Sequence, residues 1–323
     1  MAKVGYEDLS GTSTPVTSNP YDSLIAACRG DPKLIQERYI LHRVTRNGQQ
    51  REKILREDFE GWTLDEHLVK LDGPQKDASY IDPRHCLVFW GRPPQKLKTL
   101  VDVIQSKLKD AAPDLWLMPL ENLHLTVMEI AHSKTEGEIA KLMDDLQPYF
   151  KAIADHTMTH RARLVKPLLS YDSAALALSF VPAAGESVSH GRTVEDDKYT
   201  YHHLRRDTYG ALTEAGIQVG SRYVVPSAHL TIARYNTPNV FGGDPLDGNI
   251  TLDMKKRKHW INEIDLINKW LEAEYWPVEG ELIKPGGEWV VGDEKGLDFR
   301  NGRLWYGGGQ TIYLGEGFIH GEI

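Results

Sequence analysis

Apolar residues along this chain switch repeatedly between helical and strand spacing, and the switches mark out the elements. From 21 to 42, Leu24, Ile25, Ala27, Leu34, Ile35 and Tyr39 follow a helical pattern, with Asp31-Pro32 as cap and first-turn proline. Residues 43–80 are polar and mixed, with turns predicted at Asn47-Gly48 and Asp72-Gly73-Pro74. His85–Trp90 is a short apolar run stopped by Gly91-Arg92-Pro93-Pro94, the mark of a buried strand. Leu97, Leu100, Val101, Ile104 and Leu108 then recur at helical spacing. Leu115–Met118 reads as a strand edge, and a strand follows through His124–Val127. Residues 135–153 predict a helix dented by Pro148, and two strands follow at about 160–170 and 174–182.

The second half repeats this order. A polar loop at 183–196 leads to a helix around 197–215, then to a strand through His229–Ile232. A Gly/Pro/Asn/Asp loop spans 236–248. A helix over 255–273 carries Ile261, Ile264, Ile267 and Leu271 on one stripe. The tail predicts strands at 288–291, 297–300, 303–306 and 311–314, with Asn301-Gly302 as a hairpin turn. A repeat of this size predicts two pseudo-symmetric lobes, and mixed strands and helices favour an α+β class. The Ser-, Thr-, Gly- and Pro-rich residues 1–20 predict a mobile tail. Residues 1–80 are expected as an N-terminal extension, partly disordered with helices. The main domain is expected over 81–323, with lobes at approximately 81–172 and 173–323.

One tetrapeptide recurs inside the repeat. His124-Leu125-Thr126-Val127 returns as His229-Leu230-Thr231-Ile232. On a strand, residues i and i+2 share a face. Each copy therefore sets an imidazole beside a hydroxyl, with an apolar row behind. A core strand does not need that arrangement, whereas a phosphate-binding site does. With thirteen histidines in the chain, one His-x-Thr is easy to obtain by chance. Two copies in the same slot of a repeated order are far harder to obtain. Tyr235 lies six residues past His229 and shares its face if the strand stays regular, which makes it a candidate substrate contact. Arg234 falls on the opposite face by the same alternation.

The formal net charge of -8 and pI of about 5.9 argue against broad, non-specific duplex binding, while leaving room for a local basic pocket. Cys28 and Cys86 form neither a disulfide framework nor a metal knuckle, so a reducing setting is expected. No signal pattern and no long apolar run is present, so no membrane partner is expected, and the acceptor match at Asn249-Ile250-Thr251 is expected to be idle. A cytoplasmic, or alternatively nuclear, monomer is the expectation.

The paired motifs resemble the signature of the 2H phosphoesterase family, which includes LigT-type RNA 2′,3′-cyclic phosphodiesterases and related RNA-end-processing enzymes. The resemblance covers about residues 84–315. It implies a bilobal pseudo-twofold fold, two antiparallel sheets flanked by helices with a central cleft. It implies a hydrolase in RNA processing, with His124 and His229 catalytic and Thr126 and Thr231 binding phosphate. One neutral imidazole takes a proton from water, and the other, as imidazolium, gives one to the leaving ribose oxygen. The substrate is then an RNA end or a small cyclic nucleotide, with no cofactor and no metal, and the family usually leaves a 2′-phosphate. Two alternatives remain open: an RNA 3′-end exonuclease of the same family, and a non-catalytic nucleotide- or RNA-binding module.

Other polar features have blander readings. His202-His203 cannot share a helix face and reads as part of a solvated helix. The run Lys255-Lys256-Arg257-Lys258-His259 reads as a charged helix start. Gly307-Gly308-Gly309 lacks the context of a phosphate loop and predicts a close backbone approach or a bulge.

Overall fold

The computed structural model describes residues 7–8, 11–12, 17–187, 192–220, 223–242 and 252–318. Most of the predicted tail, the Asn249–Thr251 acceptor and parts of the 183–196 and 236–248 loops lie outside the described residues. The strands are β1 (Glu7–Asp8), β2 (His85–Gly91), β3 (Trp116–Leu117), β4 (Leu125–Lys134), β5 (Arg163–Tyr171), β6 (Ala175–Pro182), β7 (Tyr223–Val224), β8 (Ala228–Arg234), β9 (Glu288–Val290), β10 (Lys295–Gly302) and β11 (Gln310–Glu316). The helices are α1 (Asp22–Ala27), α2 (Pro32–Leu55), α3 (Glu66–Asp72), α4 (Gln95–Ala111), α5 (Glu136–Leu146), α6 (Phe150–Ala154), α7 (Tyr201–Glu214) and α8 (Met254–Tyr275). No described helix is long and apolar enough to cross a membrane.

The class is α+β, as expected, but the expected pair of sheets is one. Nine strands form a single antiparallel sheet in the order β11-β10-β2-β4-β8-β6-β5-β9, with β3 also against β8. The halves join where Leu125 of β4 lies opposite Leu230 of β8. Beyond that point β8 pairs instead with β3, Trp116 opposite Arg234 and Leu117 opposite Ala233. Joining the halves gives backbone donors and acceptors at their inner edges partners that separate sheets would leave open.

The N-terminal segment, expected as an appendage, packs into the main core. Tyr21, Leu24, Ile35, Tyr39, Ile54 and Trp62 share one buried cluster with Leu87, Phe89 and Trp260. Helix α2 starts as the sequence predicts, with the Asp31 side chain accepting from the Lys33 amide at 2.8 Å and Pro32 in the first turn. It then runs straight through Asn47-Gly48, where a turn is predicted. The Asn47 Nδ2 donates to Leu169 O of β5 at 3.0 Å, so the side chain is not free to bend its own backbone. Further on, Pro148 falls in the break between α5 and α6, and Thr135 caps α5 in a capping box with Glu138.

The C-terminal hairpin turns later than predicted. Asn301 and Gly302 lie inside β10, with Asn301 opposite Gln310, and residues 303–309 make the connection, so no strand forms at 303–306. Arg303 Nε donates to Asp82 O at 2.7 Å, and the Tyr306 hydroxyl donates to Asp65 at the start of α3. These contacts draw the connection across toward α3. Gly307-Gly308-Gly309 does mark a close approach: a side chain at Gly309 would sit 2.3 Å from Asn301 O.

The solvated-helix reading of His202-His203 is overturned, because α1 and α2 cover α7. His202 is fully buried, with Nε2 3.1 Å from Tyr21 O and Nδ1 3.0 Å from the Tyr39 hydroxyl. A carbonyl only accepts, so Nε2 carries the proton and Tyr39 donates to Nδ1. Burial, reinforced by Arg205, pushes the His202 pKa from 6.5 to about 3. A group held neutral in this way gives its full stability above pH 6.5 and loses it as pH falls toward 3. Urea unfolding followed down from neutral pH is expected to lose about 1.4 kcal/mol per pH unit from such a site. His202→Gln is expected to make that slope shallower, and coincident slopes would remove His202 as its source.

Candidate active site

The seam between the halves builds the site. With Leu125 opposite Leu230 in an antiparallel pair, His124 is set across from Thr231 and Thr126 across from His229. Leu125 and Leu230 are buried, so the four polar side chains share the opposite face. All four line one cleft of about 190 Å³. Trp90, Glu129, Arg205, Ser227, Arg234 and Trp305 line it with them.

Each motif is followed by a bulge. On β4 the pairing with β2 slips between Phe89↔Met128 and Trp90↔Thr126, and both Val127 and Met128 are buried. On β8 the pairing with β6 slips between Leu176↔Ala233 and Ala177↔Thr231, and both Ile232 and Ala233 are buried. An extra residue reverses the alternation. Glu129 and Arg234, each three positions after its threonine, therefore return to the cleft face. Strict alternation misses both.

The same slip corrects Tyr235. It is fully buried, stacked on Trp62 with centroids 4.1 Å apart and planes 7° apart, and its hydroxyl accepts from Trp260 Nε1 at 3.0 Å. It is a core residue, and Arg234 takes the place in the cleft that regular alternation predicts for it.

His124 is held on two sides. Its Nδ1 donates to Asn122 O at 2.7 Å, which leaves Nε2 as the free nitrogen of the neutral ring. Its ring stacks on Trp90 at 3.7 Å with planes 12° apart. Arg92 and Arg300 lie 5.0 and 4.9 Å from the centroid of the same indole, and both pair with Asp298. Burial pushes the His124 pKa down to about 4, and Arg92, His229 and Arg300 add to the push against the Asn122 carbonyl. His229 lies 2.9 Å from the Ser227 hydroxyl through Nδ1. Desolvation by the cleft walls, with Arg205 and Arg234, lowers its pKa below 6.5, partly opposed by Asp172, while the residue stays open to solvent at the cleft mouth, which tempers the shift. Both rings are therefore neutral near pH 7 in the free protein.

Helix α7 steadies the floor. The Tyr201 hydroxyl donates to Thr126 O at 3.1 Å, and Arg205 donates to Val127 O at 3.2 Å and Val225 O at 3.0 Å. Tyr201 and Arg205 stand four apart on one helix face, the signal that sequence reading could have used. Arg234 lies over Trp305 and Tyr306, 5.5 and 5.6 Å from their centroids. Among the described residues, one group could hold a metal ion: Cys86, Glu129 and His132, with ligand atoms within 4.8 Å of one another.

The sequence matches no family model and no curated protein. Solved structures similar in shape include the following three. TT0787 of Thermus thermophilus is 14% identical, with 73% of this chain and 100% of that one covered at a TM-score of 0.38. The conserved protein of unknown function ATU0111 from Agrobacterium tumefaciens is 13% identical, with 78% and 99% covered at 0.43. Usb1 of Kluyveromyces marxianus is 9% identical, with 72% and 98% covered at 0.37. These likenesses are too distant to assign an activity.

The His124 anchor is open to test from a distance. Gly307 has φ of 95°, and a Cβ there would lie 2.0 Å from the Asn122 side chain. Gly307→Ala is expected to displace Asn122 and, through its carbonyl, shift the His124 ring resonances in NMR titrations. Unchanged His124 resonances in a folded variant would break that link.

Proposed function

We propose that the chain is a phosphodiesterase that hydrolyses a 2′,3′-cyclic phosphate at an RNA end or on a nucleotide, without a metal. The observation that carries this reading is the Leu125–Leu230 pair, which sets two imidazoles and two hydroxyls across one cleft face. The motif resemblance to 2H phosphoesterases supports it.

Thr126 and Thr231 donate to the non-bridging oxygens of the phosphate. His124, with Nδ1–H engaged by Asn122 O, offers Nε2 as proton acceptor. Water attacks phosphorus and gives its proton to His124. The bond from phosphorus to one ribose oxygen breaks, and His229 as imidazolium protonates that oxygen. Because both rings are neutral in the free protein, the imidazolium forms with the substrate: the phosphate anion favours protonation of the neighbouring ring. Arg234 and Arg205 in the cleft wall draw the anion in.

The first test uses cyclic nucleotides in EDTA. Turnover is expected to persist, and His124→Ala and His229→Ala are each expected to lower it by about 10²–10⁴-fold. Loss of turnover in EDTA would defeat the metal-free mechanism, and tight binding without turnover would leave only a binding module. The second test is a pH profile. The acid must be protonated in the free enzyme for kcat/KM, and both histidines titrate below 6.5. The optimum of kcat/KM is therefore expected below pH 6.5, with that of kcat higher, because bound phosphate raises the pKa of the acid. A kcat/KM optimum on the alkaline side of neutrality would contradict this.

A further inference from the structure

A second cavity, of about 310 Å³, adjoins the cleft. Ser227, His229, Thr231 and Arg234 stand in the walls of both, so one groove leads from the paired motifs past β6 to α2. Its far wall is one face of α2: Tyr39, His42, Arg43, Arg46 and Asn47, at i, i+3, i+4, i+7 and i+8.

Buried arginines outside this groove are held either by a carboxylate or, like Arg205 and Arg257, by two or more backbone carbonyls. Arg84, Arg92 and Arg163 each pair with a carboxylate at 2.6–2.7 Å. Arg43 is only 5% exposed and forms no ion pair within 4 Å among the described residues, with Glu272 acting on it from farther off and the Trp276 ring 5.6 Å from its guanidinium. Its Nη1 donates to Lys166 O at 2.8 Å and its Nε has no partner. Arg234 Nε is likewise buried without a partner. Among the described residues Arg46 reaches only Gln49 Oε1, at 3.4 Å. Asp172 is the one carboxylate among the described residues of this wall, and its Oδ1 already accepts from the amides of Ala174 and Ala175 at 2.7 and 2.9 Å. Burying a guanidinium without a counter-ion is costly, and a ligand anion relieves that cost. In a chain of net charge -8, cations left unpaired along one groove mark a place for an anion.

We propose that the α2 groove binds a second phosphate, so that the preferred ligand is a short RNA strand whose 3′ end lies at the paired motifs, rather than a lone nucleotide. This rests on the phosphodiesterase reading for the chemistry at the strand's end, but the groove itself is tested by binding. The probes are a 2′-O-methyluridylate hexamer with a 3′-terminal phosphate, which cannot cyclise, and the corresponding mononucleotide, titrated into the full chain at low and raised salt.

The hexamer is expected to bind about tenfold tighter or more, with a steeper salt dependence. Arg46 is exposed, so Arg46→Ala and Arg46→Glu are expected to fold. Arg46→Ala is expected to lower the hexamer's log–log salt slope by about 0.7, the value of one phosphate contact on a single strand. Arg46→Glu is expected to weaken the hexamer further. Equal affinity for the two probes, or a hexamer whose affinity and salt slope ignore both variants, would overturn the proposal. Hexamer preference without cyclic-phosphate hydrolysis would overturn the proposed activity and leave the groove standing. Hydrolysis without hexamer preference would do the reverse.

Discussion

One backbone pairing, Leu125 opposite Leu230, holds the site together. A slip of one residue there would turn every side chain of one motif to the other face. In the first motif Leu125 and Val127 would move into water, and His124 and Thr126 into the core. Each leucine contributes about 1.5–3 kcal/mol by its burial, so the apolar row behind the motif fixes the register of the polar row in front. Because the pair is antiparallel, the two histidines land diagonally, each across from the other motif's threonine. A phosphate placed between them would meet an imidazole from either side, the arrangement that the proposed in-line displacement needs.

The bulges beyond the seam carry a cost of their own, since an extra residue disturbs the hydrogen-bond ladder. Here the affected carbonyls find partners from helices. Arg205 of α7 donates to Val127 O, and Gln105 of α4 donates to Ile232 O at 2.8 Å. The two helices occupy matching places in the repeat and serve matching strands. The bulges can therefore persist, and they are what brings Glu129 and Arg234 into the cleft.

Much of this was legible in the sequence. Helical spacing at Leu97–Leu108 and Ile261–Leu271 marks α4 and α8, and alternation through each motif marks the shared face of histidine and threonine. What failed depended on partners distant in the chain. Asn47-Gly48 has the chemistry of a turn, but Leu169 O claims its amide. His202 looked solvated on its own helix, but Tyr21 and Tyr39 arrive from more than 160 residues away. Tyr235 and Arg234 exchanged places because a bulge leaves no mark in local composition. The one local clue was the repeat itself, since Glu129 and Arg234 stand at equal offsets from Thr126 and Thr231.

The charge pattern ties these parts to one another. Arg92 and Arg300 flank Trp90, which carries the His124 ring, and share the single carboxylate of Asp298, 2.7 and 3.6 Å away. Asp298 offsets one of the two charges and holds both guanidinium groups in place around the indole. Arg234 has no such carboxylate among the described residues and stands where the cleft meets the α2 groove. Its place there depends on the β8 bulge, whose carbonyl Gln105 holds. A helix in the first half thus sets the charge of the groove in the second. Helix α2 extends that groove, while its Tyr39, with Tyr21 before α1, covers His202 in the core. The segment that looked separable in sequence is therefore bound to both the stability of the fold and the reach of its site.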